Sequence, residues 1–129
     1  MKQLTLLILP LTLGCVREVE HPLTQDPSIQ FPIFDSTLQT EADLDGYTFQ
    51  AIRIAANDYL NPDPAEPSCD RKQSSYGYRT LRKGDIIFVR IDFKPENCGG
   101  KIDMLDGGAT YAIGVDGRIL RRFLDGLGR

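Results

Sequence analysis

The sequence predicts an α+β domain: one principal helix packed on an antiparallel sheet of about four strands. Three observations carry this expectation. Residues 44–60 repeat apolar side chains at helical spacing, residues 86–93 alternate as a strand does, and residues 109–124 form two alternating runs around Asp116-Gly117. The chain has 129 residues, a size that suits one domain.

The helix is expected from Leu44 to Leu60. Asp45 is its N-cap, because a short carboxylate can accept from the free N–H groups of the first turn. Ile52, Ala55, Ala56 and Tyr59 recur at helical spacing and form the apolar face. Two alanines flatten that face, which suits close packing on a sheet. Asn61-Pro62 ends the helix, since a residue before proline is pushed out of the helical region. Residues 61–75 hold Pro62, Pro64 and Pro67 and read as a loop.

The rest reads as β-structure. Tyr76 to Leu81 is a strand and Lys83-Gly84-Asp85 a turn. Ile86 to Phe93 is the strongest strand. Ile87, Val89, Ile91 and Phe93 face one way, towards the helix; Ile86, Phe88, Arg90 and Asp92 face the other. A glycine-rich loop spans Lys94 to Gly108. Ala109 to Val115 and Arg118 to Leu124 follow as a hairpin on Asp116-Gly117. A type I′ turn there would set Val115 opposite Arg118 and Ile113 opposite Leu120.

The N-terminus reads differently. After Lys2, residues Leu4 to Leu13 are largely apolar. A membrane-spanning helix needs about 20 such residues; this run has the length of a secretory signal core, about 7–15. The run ends in Leu13-Gly14-Cys15, which resembles the lipobox of bacterial lipoproteins. That resemblance implies cleavage after residue 14, acylation of Cys15, and a membrane as the first partner. Val16 after the cysteine is similar to the outer-membrane class, so the expected place is the outer membrane, facing the periplasm. An ordinary secretory signal with a chance cysteine is the other reading. Cleavage would remove 14 of 129 residues and leave 115. Residues 15–36 carry Pro22, Pro27 and Pro32, which forbid a continuous helix. They are expected to form a tether, with 37–129 as the domain. Ile29, Phe31, Ile33 and Phe34 could instead lay one edge strand on it.

Charge and cysteines narrow the function. Fifteen Lys and Arg against eighteen Asp and Glu give a net charge of −3. A mildly acidic chain has no general pull on nucleic acid. If Cys15 is acylated, Cys69 and Cys98 remain as an even pair in an exported protein, which argues for one disulfide. Two free buried thiols are the alternative. His21 is the only histidine and lies in the tether, so a zinc site is not expected. Asp103, Asp106, Asp116 and Asp125 lack calcium-loop spacing and read as turn aspartates. No nucleophile–histidine pair or phosphate-binding glycine pattern occurs, and no cofactor is expected.

The order of elements contains Gln50-Ala51-Ile52-Arg53-Ile54-Ala55-Ala56, then Gly107-Gly108-Ala109-Thr110-Tyr111-Ala112-Ile113, then Asp116-Gly117-Arg118-Ile119-Leu120. This resembles the cystatin-like and nuclear-transport-factor-2-like domains of bacterial exported proteins. Some of those are immunity proteins that block a toxin; others are accessory binding modules. The expected function is therefore a lipid-anchored, non-enzymatic binding protein with a protein partner. The competing class is a cell-envelope enzyme using carboxylates around the 94–108 loop. Phe88, Arg90, Asp92 and Tyr111 are the candidate partner-binding residues, because aromatics and Arg dominate hot spots. Tyr76, Tyr78 and Tyr111 read equally well as half-buried sheet residues. Phe88 and Arg90 are expected to be dispensable for folding.

Overall fold

The computed structural model describes residues 23–61, 68–100 and 107–126. Residues 1–22, with the expected signal segment, Cys15 and His21, lie outside these. So do Asp103 and Asp106. Contacts divide the chain into two units, 1–32 and 33–129, and each is described by itself. Residues 29–34 form no strand, and Ile29, Phe31, Ile33 and Phe34 are exposed.

The second unit is an α+β domain of one helix on a four-stranded antiparallel sheet. Helix α1 runs Gly46–Tyr59. Asp45 caps it as expected: its Oδ1 accepts from Tyr47 N (3.0 Å) and Thr48 N (3.1 Å), and its Oδ2 from Thr48 Oγ1 (2.6 Å). Such a cap contributes about 1 kcal/mol. The strands are β1 Tyr76–Lys83, β2 Ile86–Phe93, β3 Gly108–Gly114 and β4 Ile119–Leu124. Their order in the sheet is their order in the chain. Short 3-10 turns at Cys69–Arg71, Gln73–Ser75 and Pro95–Cys98 gather at one end of the β1–β2 pair.

The core lies between α1 and one face of the sheet. Ala51 and Ala55 pack with Ile87, Val89, Ile91, Ala109, Tyr111 and Ile113, all almost fully buried. Burying an Ile or Val side chain stabilises by about 1.5–3 kcal/mol, so the alternation of β2 alone commits it to this layer. The buried helix positions are Thr48, Ala51, Ala55 and Ala56, while Ile52 and Tyr59 are only half-buried. The helix is thus turned slightly from the expected face. Small residues sit at the line of closest approach, and Ile52 flanks it.

Cys69 and Cys98 form a disulfide, with their Cα atoms 5.8 Å apart. It joins the turn before β1 to the turn after β2. Ser75 sits against both sulfurs, and its Oγ donates to Cys69 O at 2.6 Å. Around it, Lys94 N donates to Ser75 O (2.8 Å) and Asn97 Nδ2 to Ser74 O (2.9 Å).

The last hairpin keeps its expected register from Ala109 to Ala112, which pair with Leu124 to Arg121, and departs from it only beside the turn. Ile113 faces Ile119 and Ala112 faces Arg121, with a bulge between. Gly117 N donates to Gly114 O, and only Gly117 has positive φ (87°) in that turn. A type I′ turn would need Asp116 there too. The chain instead places Val115 and Asp116 at the turn's centre and lets Gly117 carry the left-handed step, which shifts the pairing of Ile113 by a residue until the bulge restores the expected register at Ala112 and Arg121. Val115 N also donates to Asp85 O (3.0 Å) in the β1–β2 turn, tying the two turns together.

Candidate functional site

Strand alternation sorts every sheet residue to one of two faces. One cross-strand row on the face away from α1 reads Leu81, Phe88, Ala112, Arg121; the next reads Arg79, Arg90, Thr110, Phe123. Among the described residues of this unit no helix lies on this face, because α1 packs on the other. Leu81 stays 57% and Phe123 41% exposed. Phe88 is half-buried between them. Two depressions open here. One of about 310 Å³ is lined by Arg79, Leu81, Phe88, Arg90 and Thr110. The other, of about 200 Å³, is lined by Phe88, Thr110, Ala112, Arg121 and Phe123.

Phe88, Arg90 and Asp92 therefore share the uncovered face, but Arg90 is not free there. Its guanidinium grips Asp125 with both ends, Nη1 to Oδ1 at 2.9 Å and Nη2 to Oδ2 at 2.6 Å. Nε donates to Asp92 Oδ1 (2.8 Å), and Nη1 also reaches Thr110 Oγ1 (3.2 Å). Asp92 in turn accepts from Arg79 at 2.8 Å. The Arg90 hydrogen bond holds the Asp125 carboxyl below its ordinary range. Asp92 is desolvated, which works the other way, but its bonds to Arg90 and Arg79 lower it on balance. Arg90 thus fastens the end of β4 to β2. Truncating Arg90 would leave Asp125 without its ion-pair partner and Asp92 with Arg79 alone.

Tyr111 is on the opposite face. It pairs with Val89, so it shares that residue's side of the sheet, and it is 1% exposed. Its hydroxyl donates to Asp58 Oδ2 at 2.8 Å, where Arg122 Nη1 also donates at 2.8 Å. Burial, with the neighbouring Asp58 carboxylate, pushes the Tyr111 hydroxyl well above its usual range. The Tyr111 side chain is therefore core, although the residue still borders the smaller depression. Tyr76 and Tyr78 share that side. Tyr76 packs against Tyr59 and Phe93, and both hydroxyls donate to backbone carbonyls, those of Asp70 and Gln73.

Leu81, Ala112, Arg121 and Phe123 were missed as candidates, although their strand parity with Phe88 was readable. The signal was the alternation itself, carried from β2 into its neighbours. Arg121 and Arg122 point to opposite faces, as alternation required: Arg122 to Asp58, Arg121 to the uncovered side.

Among the described residues, Asp116 and Asp125 lie apart, and Asp125 shares Arg90 with Asp92. Asp116 accepts from Arg118 N and Nε at the hairpin turn, while Asp125 pairs with Arg90 at the far end of β4. Among the described residues, no three His, Cys, Asp or Glu side chains are placed to hold a metal ion. No helix among them is long and apolar enough to cross a membrane. No family model, curated protein or solved structure matches the chain.

Proposed function

We propose that this chain is an exported, lipid-anchored binding protein, held to the membrane through acylated Cys15, whose domain engages a protein partner with the uncovered sheet face. The observation that carries the reading is that face: Leu81 and Phe123 exposed in one sheet layer around a half-buried Phe88, with cations at its margin. An antiparallel sheet normally has one packed and one available side, and an aromatic set among Arg side chains is the usual composition of an interface centre. The disulfide is consistent with an oxidising compartment. The N-terminal signal supports envelope placement, with Val16 favouring the outer membrane. Toxin neutralisation is the finer form of this reading, drawn from the resemblance to immunity proteins.

Two variants test it. Cys15→Ser should move the protein from the membrane to the soluble fraction; retention at the wild-type level refutes the anchor. Phe88→Ala should keep the fold, measured by circular dichroism and urea midpoint, and lose partner capture from the native envelope. Unchanged capture by the folded variant would place the binding surface elsewhere.

A further inference from the structure

β3 turns only small residues to the uncovered face: Gly108, Thr110, Ala112 and Gly114. Its neighbours are large, with Phe88 on β2 and Arg121 and Phe123 on β4. Adjacent strands lie about 4.8 Å apart, so β2 and β4 wall a trough about 10 Å across. The trough is short. At one end the Arg90 guanidinium crosses to Asp125 above Gly108 and binds Thr110 Oγ1. At the other end the Asp116 carboxylate and, farther off, the Leu120 side chain approach Gly114. What remains is a socket floored by Thr110 and Ala112, of about 200 Å³. An apolar cavity of about 150 Å³ accepts a benzene ring, so the socket has room for roughly one bulky side chain.

Its rim is positively charged. Arg79, Lys83, Arg90 and Arg121 face this side, against Asp92 and Asp125, while Asp116 at the Gly114 end is paired with Arg118. Arg121 pairs with no carboxylate among the described residues, and Arg79 is 76% exposed beyond its bond to Asp92. The excess is local, because the whole chain is net −3. We infer that the socket between Phe88 and Phe123 receives a single aromatic or leucine side chain of a protein partner, from a segment whose flanking residues are carboxylates that meet Arg121 and Arg79. This rests on the binding reading above and gives the partner its chemistry.

The probe is a short fluorescein-labelled peptide with a central Phe flanked by glutamates, read by anisotropy against the full oxidised chain. Controls replace Phe by Ala, or every Glu by Lys. The acidic Phe peptide should bind, and each control should bind at least about tenfold more weakly, about 1.4 kcal/mol. Added salt should weaken the acidic peptide. Ala112→Phe, which fills the socket, should abolish binding while the urea midpoint stays near wild type. Arg121→Glu should reverse the preference between acidic and basic peptides. If Ala112→Phe unfolds, Phe123→Ala replaces it and should also weaken binding about tenfold. Equal binding of acidic and basic peptides, or no binding of either, overturns the inference. So does a dimer in sedimentation that Ala112→Phe dissolves, since a second copy would then be the occupant. Failure with the peptides alongside Phe88-dependent capture of an envelope partner would sink the socket chemistry alone. Loss of both would sink the binding reading.

Discussion

Arg90 and Asp125 close their two-pronged pair directly above Gly108. A Cβ at that glycine would lie 2.7 Å from Arg90 Nη2, 2.9 Å from Asp125 Oδ2 and 2.7 Å from the Ile91 carbonyl oxygen. The carbonyl belongs to the paired β2 backbone and cannot swing aside. Gly108→Ala should therefore destabilise the domain by about 1–3 kcal/mol, the usual cost of overpacking. The urea midpoint measures this, and a midpoint equal to wild type would mean that the strand ends part freely.

The same pair predicts an acid limb. Asp125 and Asp92 have folded values below the ordinary 3.8. A depressed carboxyl contributes stability that is present above its unfolded value and lost as pH falls through its folded value. The urea midpoint should thus fall progressively below about pH 4. Asp125→Asn should be less stable at neutral pH and should show a shallower fall in acid. An acid limb as steep as wild type would assign the loss to other carboxylates.

Removing the disulfide by Cys69→Ser with Cys98→Ser frees a loop whose ends are 29 positions apart. Loop-closure entropy puts the loss at about 3–4 kcal/mol. Denaturation with and without reductant should separate wild type from itself by that amount and leave the double variant unmoved. The intact protein should give one cross-linked peptide pair by mass analysis.

Tyr111 offers a split between packing and polarity. Tyr111→Phe removes only the hydrogen bond to Asp58, which keeps Arg122, and should cost about 1 kcal/mol. Tyr111→Ala empties the core beneath α1 and should cost about 3–5 kcal/mol. Near-equal losses would mean that the hydroxyl, not the ring, holds the position.

Elements with local causes were legible in the sequence. Asp45 announces the helix start, and the alternation of Ile87, Val89 and Ile91 announces β2 and the side that α1 covers. What depends on partners far along the chain was not. Arg90 finds Asp125 at 35 residues' distance, and Tyr111 finds Asp58 at 53; no local pattern encodes either. Hydropathy favoured Ile52 for the helix face, whereas close approach to the sheet selected Ala51. The hairpin register was legible from Asp116-Gly117 except for the bulge beside the turn, where Val115 also binds Asp85 in another turn. Tyr111 was a different failure: its alternation with Ala109 and Ile113 was available, and its aromatic character outweighed it.

Because strand order equals chain order, each strand of this sheet waits only for the next one to arrive. The pairings are hairpins, and the disulfide spans only the first of them. Short sequence separations lower the entropy that must be lost before contacts form, which favours rapid folding. The chain can therefore grow its sheet one strand at a time from the β1–β2 pair outward, and the two cysteines can find each other before β3 and β4 have docked.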